Sequence, residues 1–193
     1  MHVQTRVLSL AIVAALAAAA PAAADAFNRS VATRAQGLVD GPAAKVVRRA
    51  SADAFVARDA IVDAKGTEHV RFARTHRGLP VIGGDFVLHS RNGKVKGVSQ
   101  TLKTTQRPAV TPRISSNRAI IEAGADFGTA FHGVPNARLV VYALGARPTL
   151  AYEVTLSGTR ADQTPTDMHY FVDAGSGRIL AKWDTRMPSR TPP

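Results

Sequence analysis

Between Gly66 and Leu102 the sequence GTEHVRFARTHRGLPVIGGDFVLHSRNGKVKGVSQTL is cut by glycines into short apolar stretches, and that punctuation admits strands and little else. Val70 and Phe72 alternate with His69, Arg71 and Ala73, and Phe86 and Leu88 alternate with Val87 and His89. A period of two is the mark of a strand with one buried face. Asn92-Gly93, between Asp85–Arg91 and Lys94–Leu102, is the dipeptide that best tolerates the positive φ angles of a tight hairpin turn. The stretch therefore reads as three short strands, and none of its residues is a nucleophile in a reactive setting.

The N-terminus bears on the compartment. A basic lead, Met1–Arg6, precedes an apolar run of 14 residues from Val7 to Ala20, and Pro21–Ala26 offers Ala-x-Ala cleavage choices after Ala24 or Ala26. This is the pattern of a secretory signal peptide, too short for a bilayer span of about 20 residues. The expected location is secreted or periplasmic. The chain has no cysteine, so an exported protein of this length is held by core packing rather than disulfides, and thiolate chemistry and Cys-bound zinc are excluded.

The net charge is +11, and the basic character peaks between Phe86 and Ile121, where Arg91, Lys94, Lys96, Lys103, Arg107, Arg113 and Arg118 occur with no acidic residue. Such a surface attracts an acidic protein, an anionic polymer or a membrane over long range. It lacks the interleaved aromatics of a base-stacking surface, so nucleic acid is not the expected partner.

The rest of the chain divides by its punctuation. Residues 1–24 form the signal segment, and residues 25–50, small and polar with few apolar anchors, read as a flexible lead-in. Ser51 is a cap for a helix over 52–64, where Phe55, Val56, Ala60 and Val62 recur at roughly helical spacing before Lys65-Gly66. Thr104–Pro112, with two prolines, is a linker between a unit over 51–103 and another over 113–185. In the second unit, Ser115–Asn117 supplies N-cap candidates for a helix from Arg118 to about Phe131. Strands are expected over Leu139–Ala143, Leu150–Leu156, Met168–Asp173 and Arg178–Trp183, the last two forming a hairpin across Ala174–Gly177. Residues 186–193 read as a flexible proline-rich tail.

Gly66, the Val70-Arg71-Phe72 run, Gly78-Leu79-Pro80-Val81 and Gly83-Gly84-Asp85 resemble the fungalysin/thermolysin propeptide domain. Leu150–Val154 (LAYEV), Tyr170–Ala174 (YFVDA) and Gly177–Leu180 (GRIL), behind a helix, resemble a PepSY domain. The resemblance implies an α+β fold of two small cystatin-like units, each a helix packed on an antiparallel sheet. It also implies a non-catalytic propeptide module that inhibits, and assists the folding of, a thermolysin-like zinc metallopeptidase catalytic domain. In that role Arg71, Arg74, Asp85, Glu153 and Trp183 are the candidate partner-binding residues. The sequence given closes at Asp184–Pro193, which leaves a stand-alone inhibitor and a truncated precursor both open.

Catalytic machinery does not assemble from the sequence. No histidine is followed by the Glu-x-x-His of a zincin helix, so no metal ligand or cofactor is nominated. Ser176 lies in a glycine turn and Ser99 lacks a nucleophile elbow. Asp53, Asp59 and Asp63 read as a solvated face of the expected 52–64 helix, and Tyr152, Tyr170, Phe171 and Trp183 as packing residues. The expectation is therefore a binding protein rather than an enzyme. The alternative to a propeptide is a basic exported module that binds an anionic polymer or surface through 86–121.

Overall fold

The computed structural model describes residues 19–128, 131–159 and 162–186. It is a mixed α+β protein, mostly strands, with two helices among the described residues. The helices are α1 (Ala19–Asp40) and α2 (Ser116–Phe127). Strands β1 (Asp53–Val62), β2 (Glu68–His76), β3 (Leu79–Ile82), β4 (Phe86–Arg91) and β5 (Lys94–Gln100) lie between them. After α2 come β6 (Phe131–Tyr142), β7 (Thr149–Thr159), β8 (Pro165–Asp173) and β9 (Ile179–Asp184).

Two expectations for the first half are overturned. The lead-in at 25–50 is instead α1 followed by turns, and it supplies half of a core: Val31, Ala35, Val39, Ala43 and Val47 are fully buried. Val31, Ala35 and Val39 recur every four residues, one helix face, and the small alanines let the helix lie close to the sheet. The helix expected over 52–64 is β1. Ala57 pairs with Phe72 and Asp59 with Arg71, so Arg58 is an extra residue in the ladder. That bulge turns the alternation Phe55, Ala57 into Ala60, Val62, a spacing that imitates a helix.

The hairpins follow their turn chemistry. Arg77 and Gly78 between β2 and β3, and Asn92 and Gly93 between β4 and β5, all have positive φ, as a two-residue turn of matching twist requires. α2 begins at Ser115, whose Oγ accepts the Arg118 N–H at 3.2 Å. It ends earlier than the sequence pattern implied, because Gly128 adopts φ 75° and returns its N–H to the Gly124 carbonyl; Phe131 then opens β6.

In place of two separate sheets, the strands form one sheet in the order β5-β4-β2-β3-β6-β7-β8-β9, with β1 also paired to β2. The halves join through two rungs of parallel pairing, Val81 with Val141 and Ile82 with Tyr142. The chain turns sharply just after this joint. A Cβ on Gly83 would lie 2.5 Å from Leu144, and one on Gly84 would lie 2.9 Å from the Val81 carbonyl, so both positions need glycine.

Register places both helices on the same face. His76 points inward with Phe72 and pairs with Leu79, which packs in the α2 core; Val81 and Val141 share that side. Under α1 sit Phe55, Val70, Phe72, Phe86 and Leu88. Under α2 sit Leu150, Tyr152, Val154, Leu156, Tyr170 and Val172. Among the described residues, no helix covers the opposite face of the sheet in either half.

Candidate partner face and its buried anchor

Two groups of side chains bear on function, one on the open face and one inside the first half. On the open face of the second half, Glu153 in β7 pairs in register with Phe171 in β8, and His169 with Trp183 in β9. Arg138 Nε donates to Glu153 Oε2 at 2.7 Å, and His169 Nδ1 lies 3.0 Å from Glu153 Oε1. The Trp183 ring lies parallel to His169 at 6.3 Å and contacts Phe171 at 4.5 Å, and Phe171 contacts Tyr142 at 5.0 Å. Trp183 is 37% exposed, whereas Glu153 is buried. Tyr142 and Phe171 are buried as well, so what this face presents is the Trp183 ring beside Arg138 and His169, and Trp and Arg are residue types that protein interfaces favour.

On the first half, the open face holds Arg71, exposed and paired across the sheet with Asp59 in β1 and Val87 in β4. Val56 and Ile61 are half or more exposed on β1. Asp85 is exposed just before β4.

Arg74 is placed differently from the other four candidates. It is 1% exposed and points to the α1 side, so its side chain presents nothing to a partner. Its guanidinium donates to the Gly84 carbonyl at 2.9 Å, the Arg48 carbonyl at 3.1 Å, the Val47 carbonyl and Asp53 Oδ2 at 2.8 Å. It also lies over the rings of Phe55 and Phe86. Asp53 receives a second guanidinium, Arg107, through Nε at 3.1 Å and NH2 at 2.6 Å, and the His76 Nδ1 at 3.0 Å.

Burial pushes the Asp53 carboxyl up, but hydrogen bonds from Arg107, the Ala50 N–H and Arg74 outweigh it and hold the group below its ordinary value. Burial pulls Arg74 down against the hydrogen bond and charge of Asp53. The cluster ties the end of the α1 turns, β1, β2, the Gly84 bend and the linker at one point. Asp53 was expected on a solvated helix face and Arg107 in a basic surface; both are interior. Extending the Val70, Phe72 alternation by two steps reaches Arg74 and His76, and charged residues on an inward face require an acid opposite. That was the available signal.

Linker 104–112 is thereby strapped to the first half by Arg107. At its far end the Arg113 and Ile114 N–H groups donate to the Ala174 carbonyl at 2.8 and 3.1 Å. With Arg107 buried and Arg118 bonded to Glu122, the basic span keeps Arg91, Lys94, Lys96, Lys103 and Arg113 as exposed cations. Among the described residues, no three His, Cys, Asp or Glu side chains gather as metal ligands would, and no helix is long and apolar enough to cross a membrane.

The family model of the Fungalysin/Thermolysin Propeptide Motif matches residues 53–102. This segment, β1 through Leu102, is similar to that propeptide motif. Similarity extends well beyond the motif. The chain is 37% identical over 134 residues to the transglutaminase-activating metalloprotease of Streptomyces mobaraensis, covering 65% of this chain and 17% of the relative. It is 32% identical over 152 residues to bacillolysin of Bacillus cereus, covering 73% and 26%, and 33% identical over 135 residues to thermolysin of Bacillus caldolyticus, covering 63% and 24%. The chain thus spans about a sixth to a quarter of the length of these relatives. The propeptide motif holds Arg71, Arg74 and Asp85, while Glu153 and Trp183 lie outside it. Among solved structures, the Bacillus megaterium YpeB C-terminal domain aligns at TM-score 0.40 and 15% identity over 81% of this chain and 64% of that one, too distant to bear on the fold.

Proposed function

We propose that this chain is an exported, non-catalytic propeptide module that binds the catalytic domain of a thermolysin-like zinc metallopeptidase, occludes its cleft and assists its folding. The observation that carries this reading is the propeptide motif at 53–102 together with metalloprotease relatives whose similarity continues past it. In this reading the second half is a PepSY-like unit and each half is a cystatin-like helix on a sheet.

The mechanism is binding. A module that associates with the folded protease and not with the unfolded chain stabilises the folded state in proportion to the logarithm of its excess over Kd. The open sheet face is the surface left free by both helices; Arg71, Asp85 and Trp183 are its contact residues, and Glu153 holds Arg138 and His169 beside Trp183. Arg74 acts at one remove, by holding the sheet that carries Arg71.

The test adds the purified chain to an active thermolysin-like metallopeptidase, and to the same enzyme diluted from denaturant. Inhibition and a raised yield of active enzyme are expected, and Trp183→Ala should weaken inhibition at least tenfold if the ring is an interface anchor. Failure of both effects overturns the reading. A second reading, binding of an anionic polymer, draws on Arg91, Lys94 and Lys96 along the β4–β5 hairpin. It predicts binding that falls steeply with salt.

A further inference from the structure

The first half carries a hydrogen-bonded line that neither the core nor the proposed docking uses. His69 in β2 and His89 in β4 are register partners, and their Nδ1 atoms lie 2.7 Å apart with the rings edge-to-face at 71°. His69 Nε2 is 3.3 Å from Asp63 Oδ2, and His89 Nε2 is 2.8 Å from Ser99 Oγ. Asp63, His69, His89 and Ser99 thus form one continuous chain of polar contacts from the end of β1 to β5.

At 2.7 Å two lone pairs repel and two N–H groups collide, so the contact requires one proton between the rings, no more and no fewer. The neutral chain meets this condition. The Ser99 hydroxyl donates to His89 Nε2, His89 Nδ1–H donates to His69 Nδ1, and His69 Nε2–H donates to Asp63. One added proton is also accommodated. It enters at His89 Nε2, Ser99 turns to accept, and the proton between the rings moves to His69 Nδ1, which then donates to His89 Nδ1 and leaves the charge beside Asp63. The Asp63 carboxyl, lowered to about 2 chiefly by the Thr67 N–H, stays ionised at the other end of the line. A second added proton has only His89 Nδ1 to occupy. It places two N–H groups and two cations face to face.

We propose that the His69–His89 pair is a proton switch set in the β2–β4 seam, closed with one added proton or none and opened by a second. Opening it in acid loosens the β4–β5 hairpin from β2.

The surroundings set its balance. From β1, Ile61 faces His69, and Asp59 lies one rung away against Arg71. From β2, Arg71 shares the face; Glu68 lies on the opposite side, bonded to Arg34 and Ser90. From β4 and β5, Arg91 and Lys96 are exposed neighbours, and Gly97 lies directly beside His89. The turn after β1 contributes the Lys65 N–H to Asp63. Asp59 and Asp63 favour the first proton; Arg71, Arg91 and Lys96 oppose the second.

Burial and the charge of His69 hold His89 below the ordinary imidazole range. A base depressed in the folded state binds more protons when unfolded, so the pair's contribution is present above about pH 6.5 and is lost as the pH falls below it.

The test is an imidazole NMR titration of the full chain, with thermal melts from pH 8 to pH 5. Two macroscopic steps separated by more than about one pH unit are expected for the pair, and a single ordinary step for the remaining ring in His69→Gln or His89→Gln. The wild-type melting temperature should drop more steeply in acid than that of either variant. Independent titration of the two wild-type rings within one pH unit overturns the proposal, and that measurement does not depend on a variant folding. A rise in melting temperature with added Zn²⁺ at pH 7.5, absent from His89→Gln, also overturns it by making the pair a metal site.

Discussion

The two halves of the sheet each lay one helix on the same face, yet they are closed by different means. Under α2 the core is aliphatic and aromatic, with a polar tie from the Tyr152 hydroxyl to the Ile114 carbonyl at 3.1 Å. Under α1 the core is also aliphatic and aromatic, with Phe55, Phe72 and Phe86 in contact, but it ends in two guanidiniums, a carboxylate and an imidazole that are nearly fully buried. The second half gains stability by excluding water from apolar surface, which tolerates small changes in shape. The first gains it from a cluster whose members cannot be removed singly without stranding a charge. The open faces differ as well: that of the second half joins Tyr142, Phe171 and Trp183 to the Arg138–Glu153–His169 cluster, and that of the first carries the Arg71–Asp59 and His69–His89 pairs beside exposed Val56 and Ile61.

The sharpest test of this contrast is Asp53→Ala. Leaving Arg74 and Arg107 without a counterion should cost about 3–5 kcal/mol in denaturant unfolding. Hydrogen exchange should show β1, β2 and β4 losing protection while β7 and β8 keep theirs; equal loss in both halves would show a single cooperative unit and dissolve the contrast. The same cluster fixes a pH dependence. Because the Asp53 carboxyl is held below its ordinary value, its contribution is present above about pH 3.9 and is lost as pH falls through the depressed value. Acid circular dichroism should therefore report the first half unfolding before the second.

Leu156→Ala, at a fully buried position under α2, should cost about 2–4 kcal/mol, with the loss of exchange protection confined to the second half. Arg107→Ala removes one of two guanidiniums but leaves Asp53 paired, so about 1.5–3 kcal/mol is expected, with protease nicking newly admitted near 104–112. Ser115→Ala is the mildest, about 1 kcal/mol from one lost cap of α2, read as a small shift of the urea midpoint.

What the sequence disclosed and what it concealed follow the same division. Strands β2, β4, β7 and β8 were legible because strict alternation survives in them, and the Asn92-Gly93 turn because few other pairs accept its angles. β1 was concealed by one residue, Arg58, whose bulge breaks the alternation. α1 was concealed because its buried face is half alanine, which carries little hydrophobic weight in a sequence pattern although it packs fully. Of the candidate partner residues, Arg71, Asp85 and Trp183 emerge exposed, and Glu153 emerges buried beneath Arg138 and His169. Arg74 could have been assigned inward from its parity with Phe72; its partner Asp53, 21 positions earlier and hidden in a misread helix, could not.

The contribution of α1 also alters what counts as the smallest self-sufficient piece of this protein. The propeptide motif begins at residue 53, after the helix has ended. A fragment cut to the motif's limits would expose the underside of Phe55, Val70, Phe72 and Leu88 to water, and would take from Arg74 two of its carbonyl acceptors, at Val47 and Arg48. The stretch matched by the family model is thus shorter than the stretch that can stand alone, and a usable boundary for dissection lies upstream of Val31.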